Sequence, residues 1–121
     1  MSRSYKITPI PAPRQVRSDT WRPSPGVVRY RQFRDEVRRL GIQVPESGAH
    51  IVFCLPIPPS WSKKKTAEQL GRPHQQKPDV DNLLKALLDA IFENDCQVWD
   101  VRASKIWGTH GEIRISETPS T

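Results

Sequence analysis

The sequence predicts an α+β domain with a small, mostly antiparallel sheet and two main helices. Three observations carry that expectation: two stretches with apolar residues at helical spacing, an apolar β-rich run between them, and two further strand-like runs near the C-terminus. With 121 residues, a single domain over 1–121 accounts for the chain, and a core of that size folds without a disulfide or metal staple. No apolar run approaches the roughly 20 residues of a membrane-crossing helix, and the first residues lack the apolar centre of a secretory signal. The expectation is a soluble, cytoplasmic protein that contacts no membrane.

Taken in order, Tyr5–Ile10 reads as a short strand that Pro9 and Pro11 either confine to an edge or make irregular. Residues 11–26 combine Pro11, Pro13, Pro23 and Pro25 with Arg14, Arg17 and Arg22, the composition of a basic loop. From Val27 to Leu40, Tyr30, Phe33, Val37 and Leu40 fall at i, i+3, i+7 and i+10, and Gly41 is typed to stop the helix. Arg31, Arg34 and Arg38 occupy much of the remaining surface; they suit phosphate contacts, and equally a solvated amphipathic face. His50–Leu55 is a buried strand closed by Pro56, Pro58 and Pro59, with Cys54 inside it as a reduced thiol.

Residues 58–78 read as a second long basic loop. Trp61, Lys63, Lys64, Lys65, Arg72 and Lys77 lie there among Ser, Gly, Gln and Pro, a mixture suited to phosphate contact and base stacking, or to plain surface. Residues 80–92 form the clearest helix, with Val80, Leu83, Leu84, Leu87, Leu88 and Ile91 on one stripe and Asp79 as N-cap. Val98–Trp107 and Glu112–Ser116 read as strands joined through Gly108–Gly111 as a hairpin, and the tail 117–121 as frayed.

Charge is unevenly spread. The chain carries +6 overall, yet residues 79–100 set Asp79, Asp81, Asp89, Glu93, Asp95 and Asp100 against Lys85 alone. A basic chain favours a polyanionic partner through counterion release. Carboxylates near phosphates repel them unless a divalent cation intervenes, because the carboxylates hold the cation and the cation holds the phosphate. Asp79 and Asp81 stand at the mouth of the second helix, and Asp81, Lys85 and Asp89 follow at i, i+4 and i+8. With no Cys/His cluster, hard oxygen ligands point to Mg²⁺ or Mn²⁺. Spacing alone accommodates another reading equally well: Asp79 caps, Asp81 complements the helix dipole, and the rest is a surface ion ladder.

The run Lys77-Pro78-Asp79-Val80-Asp81-Asn82-Leu83-Leu84-Lys85-Ala86-Leu87-Leu88-Asp89-Ala90, followed by Asn94-Asp95-Cys96-Gln97-Val98, resembles the RusA family of Holliday-junction resolvases. That family shows D-[LV]-D-N-L-x-K, a helix ending near D-A, and then D-D-x-Q-V. The resemblance covers residues 77–107 and implies a homodimeric, Mg²⁺-dependent endonuclease that nicks four-way DNA junctions symmetrically, in a bacterium or phage, with Mn²⁺ able to substitute. It places the family's three carboxylates on Asp79, Asp81 and Asp95 as metal ligands, its functional lysine on Lys85, and supporting roles on Asn82 and Gln97. Val80 stands where Leu is commoner, and Asn94 where many relatives carry a first Asp. Two other readings are a non-catalytic junction-binding protein and a nuclease acting on flaps or forks.

Overall fold

The computed structural model describes residues 2–13, 24–92 and 97–117. Their elements are β1 (Ser2–Tyr5), α1 (Pro25–Leu40), β2 (Ala49–Pro56), α2 (Lys63–Gln69), α3 (Val80–Ile91), β3 (Val101–Gly108) and β4 (Glu112–Glu117). The fold class is as expected, α+β on a four-stranded sheet ordered β1-β4-β2-β3. β4 is antiparallel to both β1 and β2, while β2 and β3 run parallel. None of the helices among the described residues is long and apolar enough to cross a membrane.

Both long helices form where the apolar spacing placed them. Ser24 opens α1, its Oγ accepting from Val27 N at 3.3 Å. Gly41 closes it at φ 66°, a left-handed position where a Cβ would be strained. One face of the sheet supplies Ala49, Ile51, Phe53 and Leu55 of β2 with Ile113 and Ile115 of β4. Against it pack Phe33 and Val37 of α1 and Leu83, Ala86, Leu87 and Leu88 of α3, in one continuous core. Alternation along the strands leaves His50, Val52 and Arg114 to the opposite, more exposed face. Cys54 is buried as a free thiol, and burial pushes its pKa up; Cys96 lies outside the described residues.

Four expectations change. The first strand is Ser2–Tyr5 rather than 5–10; it is polar and lies at the sheet edge, so it lacks the apolar alternation that would announce it. The stretch 58–78 is not all loop: Ser62 caps a seven-residue helix, α2, its Oγ accepting from Lys65 N at 3.1 Å. β3 begins at Val101 rather than Val98. Finally, β3 and β4 are not a hairpin. Residues 109–111 carry the chain over the end of β2, which lies between the two, with Pro56 opposite Gly108 and Cys54 opposite Glu112. A central β2, apolar along most of its length, gains partners on both edges in this way, and a β3–β4 hairpin would leave one edge open. The step is tight at Gly111, where a Cβ would collide with the Thr8 backbone and side chain. The tail 118–121 and most of the basic loop, residues 14–23, lie outside the described residues.

Candidate active site

The site is built on the N-terminus of α3. Asp79 has N-cap backbone geometry, φ −70° and ψ 146°, but its carboxylate makes no capping hydrogen bond. The capping role that its position suggested is therefore not filled by its side chain, and its oxygens stay open to another electrophile. Asp81 follows on the first turn, and both side chains belong to exposed residues. One turn further, Lys85 Nζ lies 3.4 Å from Asp89 Oδ2. The Lys85–Asp89 rung of the expected ladder is formed, and the Asp81–Lys85 rung is not.

Asp95 lies outside the described residues, as do Glu93 and Asn94. Two of the three expected carboxylates thus share one helix mouth. Among the described residues no group of three His, Cys, Asp or Glu side chains gathers as a metal site. Gln97 resumes the chain, exposed, ahead of β3.

Around Asp79 runs an open groove of about 470 Å³, lined by Pro11, Ala12, Lys77, Pro78, Asp79 and Asn82. Its N-terminal wall is held by Ala12 N donating to Asn82 O at 3.2 Å. The described start of the basic loop therefore passes along the first turn of α3. Asn82, expected as a supporting residue, lines the groove, and its backbone carbonyl holds the Ala12 wall.

The α1 arginines divide by environment. Arg31 is exposed. Arg34 is partly buried, with Nε 3.7 Å from Asp35 Oδ1. Arg38 Nε donates to Ala90 O at 3.2 Å, which ties α1 to the end of α3. The Tyr30 hydroxyl lies in the same seam. Burial raises its pKa first, then the Asp89 carboxylate, while Arg34, Lys85 and Arg38 pull the other way.

On the other flank, Trp61 packs on buried Trp107 with centroids 4.6 Å apart at 56°. Lys65 Nζ stands 4.3 Å above the Trp61 ring. Trp61 is thus partly engaged within the protein; all three lysines of α2 are exposed, and Lys63 and Lys64 are the two that do not stand over its ring. Trp107 also meets His74, centroids 4.1 Å apart. Burial, then the Lys105 ammonium, holds His74 below its ordinary pKa of 6.5. Arg72 is exposed, and its carbonyl accepts from Trp107 N at 3.0 Å.

The residue that sequence reasoning missed is Lys105 of β3. Its Nζ donates to Gln76 O at 2.6 Å and to Pro78 O at 2.7 Å. One signal was available in the sequence: Lys105 shares its strand parity with Val101, Ala103 and Trp107, the side that packs on the core or is buried. A lysine on the core-facing parity of a strand needs polar partners.

A family model described as Endodeoxyribonuclease RusA matches residues 6–116. Comparison with curated proteins finds no match.

Proposed function

The chain belongs to the RusA endodeoxyribonuclease family, and from that membership we propose that it is an Mg²⁺-dependent homodimer that resolves four-way DNA junctions by paired, symmetric nicks. The observation that carries this reading is the pair of exposed carboxylates at the mouth of α3, one of them relieved of the capping bond its position invites. Two hard oxygen donors beside a groove, in a chain of net +6, suit a small divalent cation better than a soft one.

Asp79 and Asp81 would hold the ion, and Asp95 would join them by its place in the family motif. When bound, the ion supplies Lewis acidity: it neutralises the scissile phosphate and lowers the pKa of an attacking water. The remaining work falls to the protein. Lys85 lies one turn from Asp81 on the same helix, and Asp89 at 3.4 Å steadies its ammonium. From there it offsets the negative charge that grows on the phosphoryl oxygens in the transition state. Arg31 and Lys77, both exposed, and Lys63 and Lys64 on the α2 flank provide cations for the junction arms. Cutting two opposed strands takes two such sites, which a two-fold dimer supplies.

The test is cleavage of a labelled four-way junction by the purified chain. Asp81→Asn and Lys85→Ala should each lower the rate by roughly a hundredfold or more, in the range of lost charge-stabilising groups, with junction affinity changed only a few-fold. Removal of divalent ions should stop cutting without releasing the DNA. If either variant cuts at the normal rate, the assigned roles fail. A mobility shift without incision in Mg²⁺ or Mn²⁺ would instead mark a binding protein. Faster cutting of flaps than of four-way junctions would move the substrate to flaps or forks.

A further inference from the structure

The segment that delivers Asp79 is fastened to β3 from end to end. Gly71 N donates to Trp107 O at 2.9 Å, Trp107 N to Arg72 O at 3.0 Å, and His74 N to Lys105 O at 3.0 Å, with Pro73 bridged to Ile106. That backbone ladder ends at His74. The next stretch, up to Asp79, would be held by nothing from the sheet were it not for one side chain. Lys105 Nζ reaches past the end of the ladder to the carbonyls of Gln76 and Pro78, at 2.6 and 2.7 Å.

The Pro78 carbonyl and the Asp79 nitrogen belong to one planar peptide unit, so a donor fixed on that oxygen fixes the plane from which Asp79 begins. The bonds are charge-assisted, and an ammonium has donors enough for both. Lys105 also stands on the strand into which the chain from Gln97 runs. The same strand therefore ties the Asp79 arm to the segment that follows Asp95.

We propose that Lys105 is a positioning residue for the metal-binding carboxylates, acting through the Gln76 and Pro78 carbonyls to set where Asp79 presents its oxygens. The proposal rests on the metal-dependent reading above and adds to it a lysine that touches neither metal nor DNA. Groups that orient metal ligands typically change metal affinity ten- to a hundred-fold when removed.

The experiment compares the full-length protein with Lys105→Met and Lys105→Arg. Mn²⁺ binding to the protein alone is followed by calorimetry, thermal unfolding is measured without metal, and junction binding is measured in chelator. Lys105→Met should unfold cooperatively and bind the junction within about twofold of wild type, while its Mn²⁺ dissociation constant rises roughly tenfold or more. The Mg²⁺ concentration for half-maximal cleavage should rise in step. Lys105→Arg, which keeps charged donors on a longer stem, should recover part of the loss. Should Lys105→Met fail to fold, Lys105→Gln, which still donates to a carbonyl, makes the same comparison, and loss of the fold in both assigns Lys105 a purely structural role and overturns the inference. Wild-type Mn²⁺ affinity in a folded variant also overturns it, leaving the nuclease reading intact. A wild-type chain that neither binds Mn²⁺ nor cuts the junction removes the nuclease reading and this inference together.

Discussion

At Asp79 the backbone takes N-cap geometry, yet the carboxylate accepts nothing from the first turn of α3, whereas Ser24 and Ser62 close theirs at 3.3 and 3.1 Å. An N-cap bond is worth about 1 kcal/mol, so the helix forgoes that stabilisation at the one cap beside the candidate metal site. A serine there can make the bond that the aspartate leaves unmade. Asp79→Ser should therefore match wild type in thermal stability or exceed it by up to about 1 kcal/mol, and at the same time lose junction cleavage. Calorimetric unfolding together with a cleavage assay checks this. A variant that is less stable by that amount would show that Asp79 serves the helix after all. The acidic pair was legible from the motif, because D-x-D at a helix mouth names the residue types and their order. The missing cap bond was not, since N-cap propensity speaks for the position and not for where the side chain turns.

α2 is the clearest case of local sequence misread. Lysine runs flanked by Ser, Gly and Pro look like loop, and no apolar stripe marks a helix, because none of its residues is buried. What organises it is a serine cap together with Trp61, which is pinned on Trp107 and covered by Lys65. That arrangement leaves Lys63 and Lys64 exposed on the first turn. Each phosphate contact contributes about 0.9 to the slope of log affinity against log salt on duplex DNA. Replacing both lysines with alanine should make the slope for junction binding shallower by about 1 to 2, with cooperative unfolding preserved. An unchanged slope would take α2 out of the DNA path. α1 and α3 raised no such difficulty, since a 3.6-residue stripe is its own signal wherever the helix packs. The β3–β4 hairpin failed for the opposite reason. A short Gly-containing link between two strands fits a hairpin by its residues, and only the competition for the two edges of β2 decides otherwise.

Taken as a whole, the described residues form a two-layer domain with Asp79 and Asp81 at the N-terminal end of α3, while basic groups on α1, α2 and the Lys77 segment precede that end in the sequence. One such centre serves one strand, so paired nicks across a four-way junction require a second copy related by two-fold symmetry. Sedimentation of the protein on intact junction DNA should give two chains per junction; a lone monomer there would contradict symmetric resolution. The fold class, both long helices, the buried β2 and the family motif could be read from residue types and their periodicity, because a helix stripe and an apolar run each encode their own burial. Strand order, the parallel β2–β3 pairing and the reach of Lys105 to the Pro78 carbonyl could not. Each depends on which distant segments compete for the same backbone edge, and that competition is settled only when the sheet is assembled.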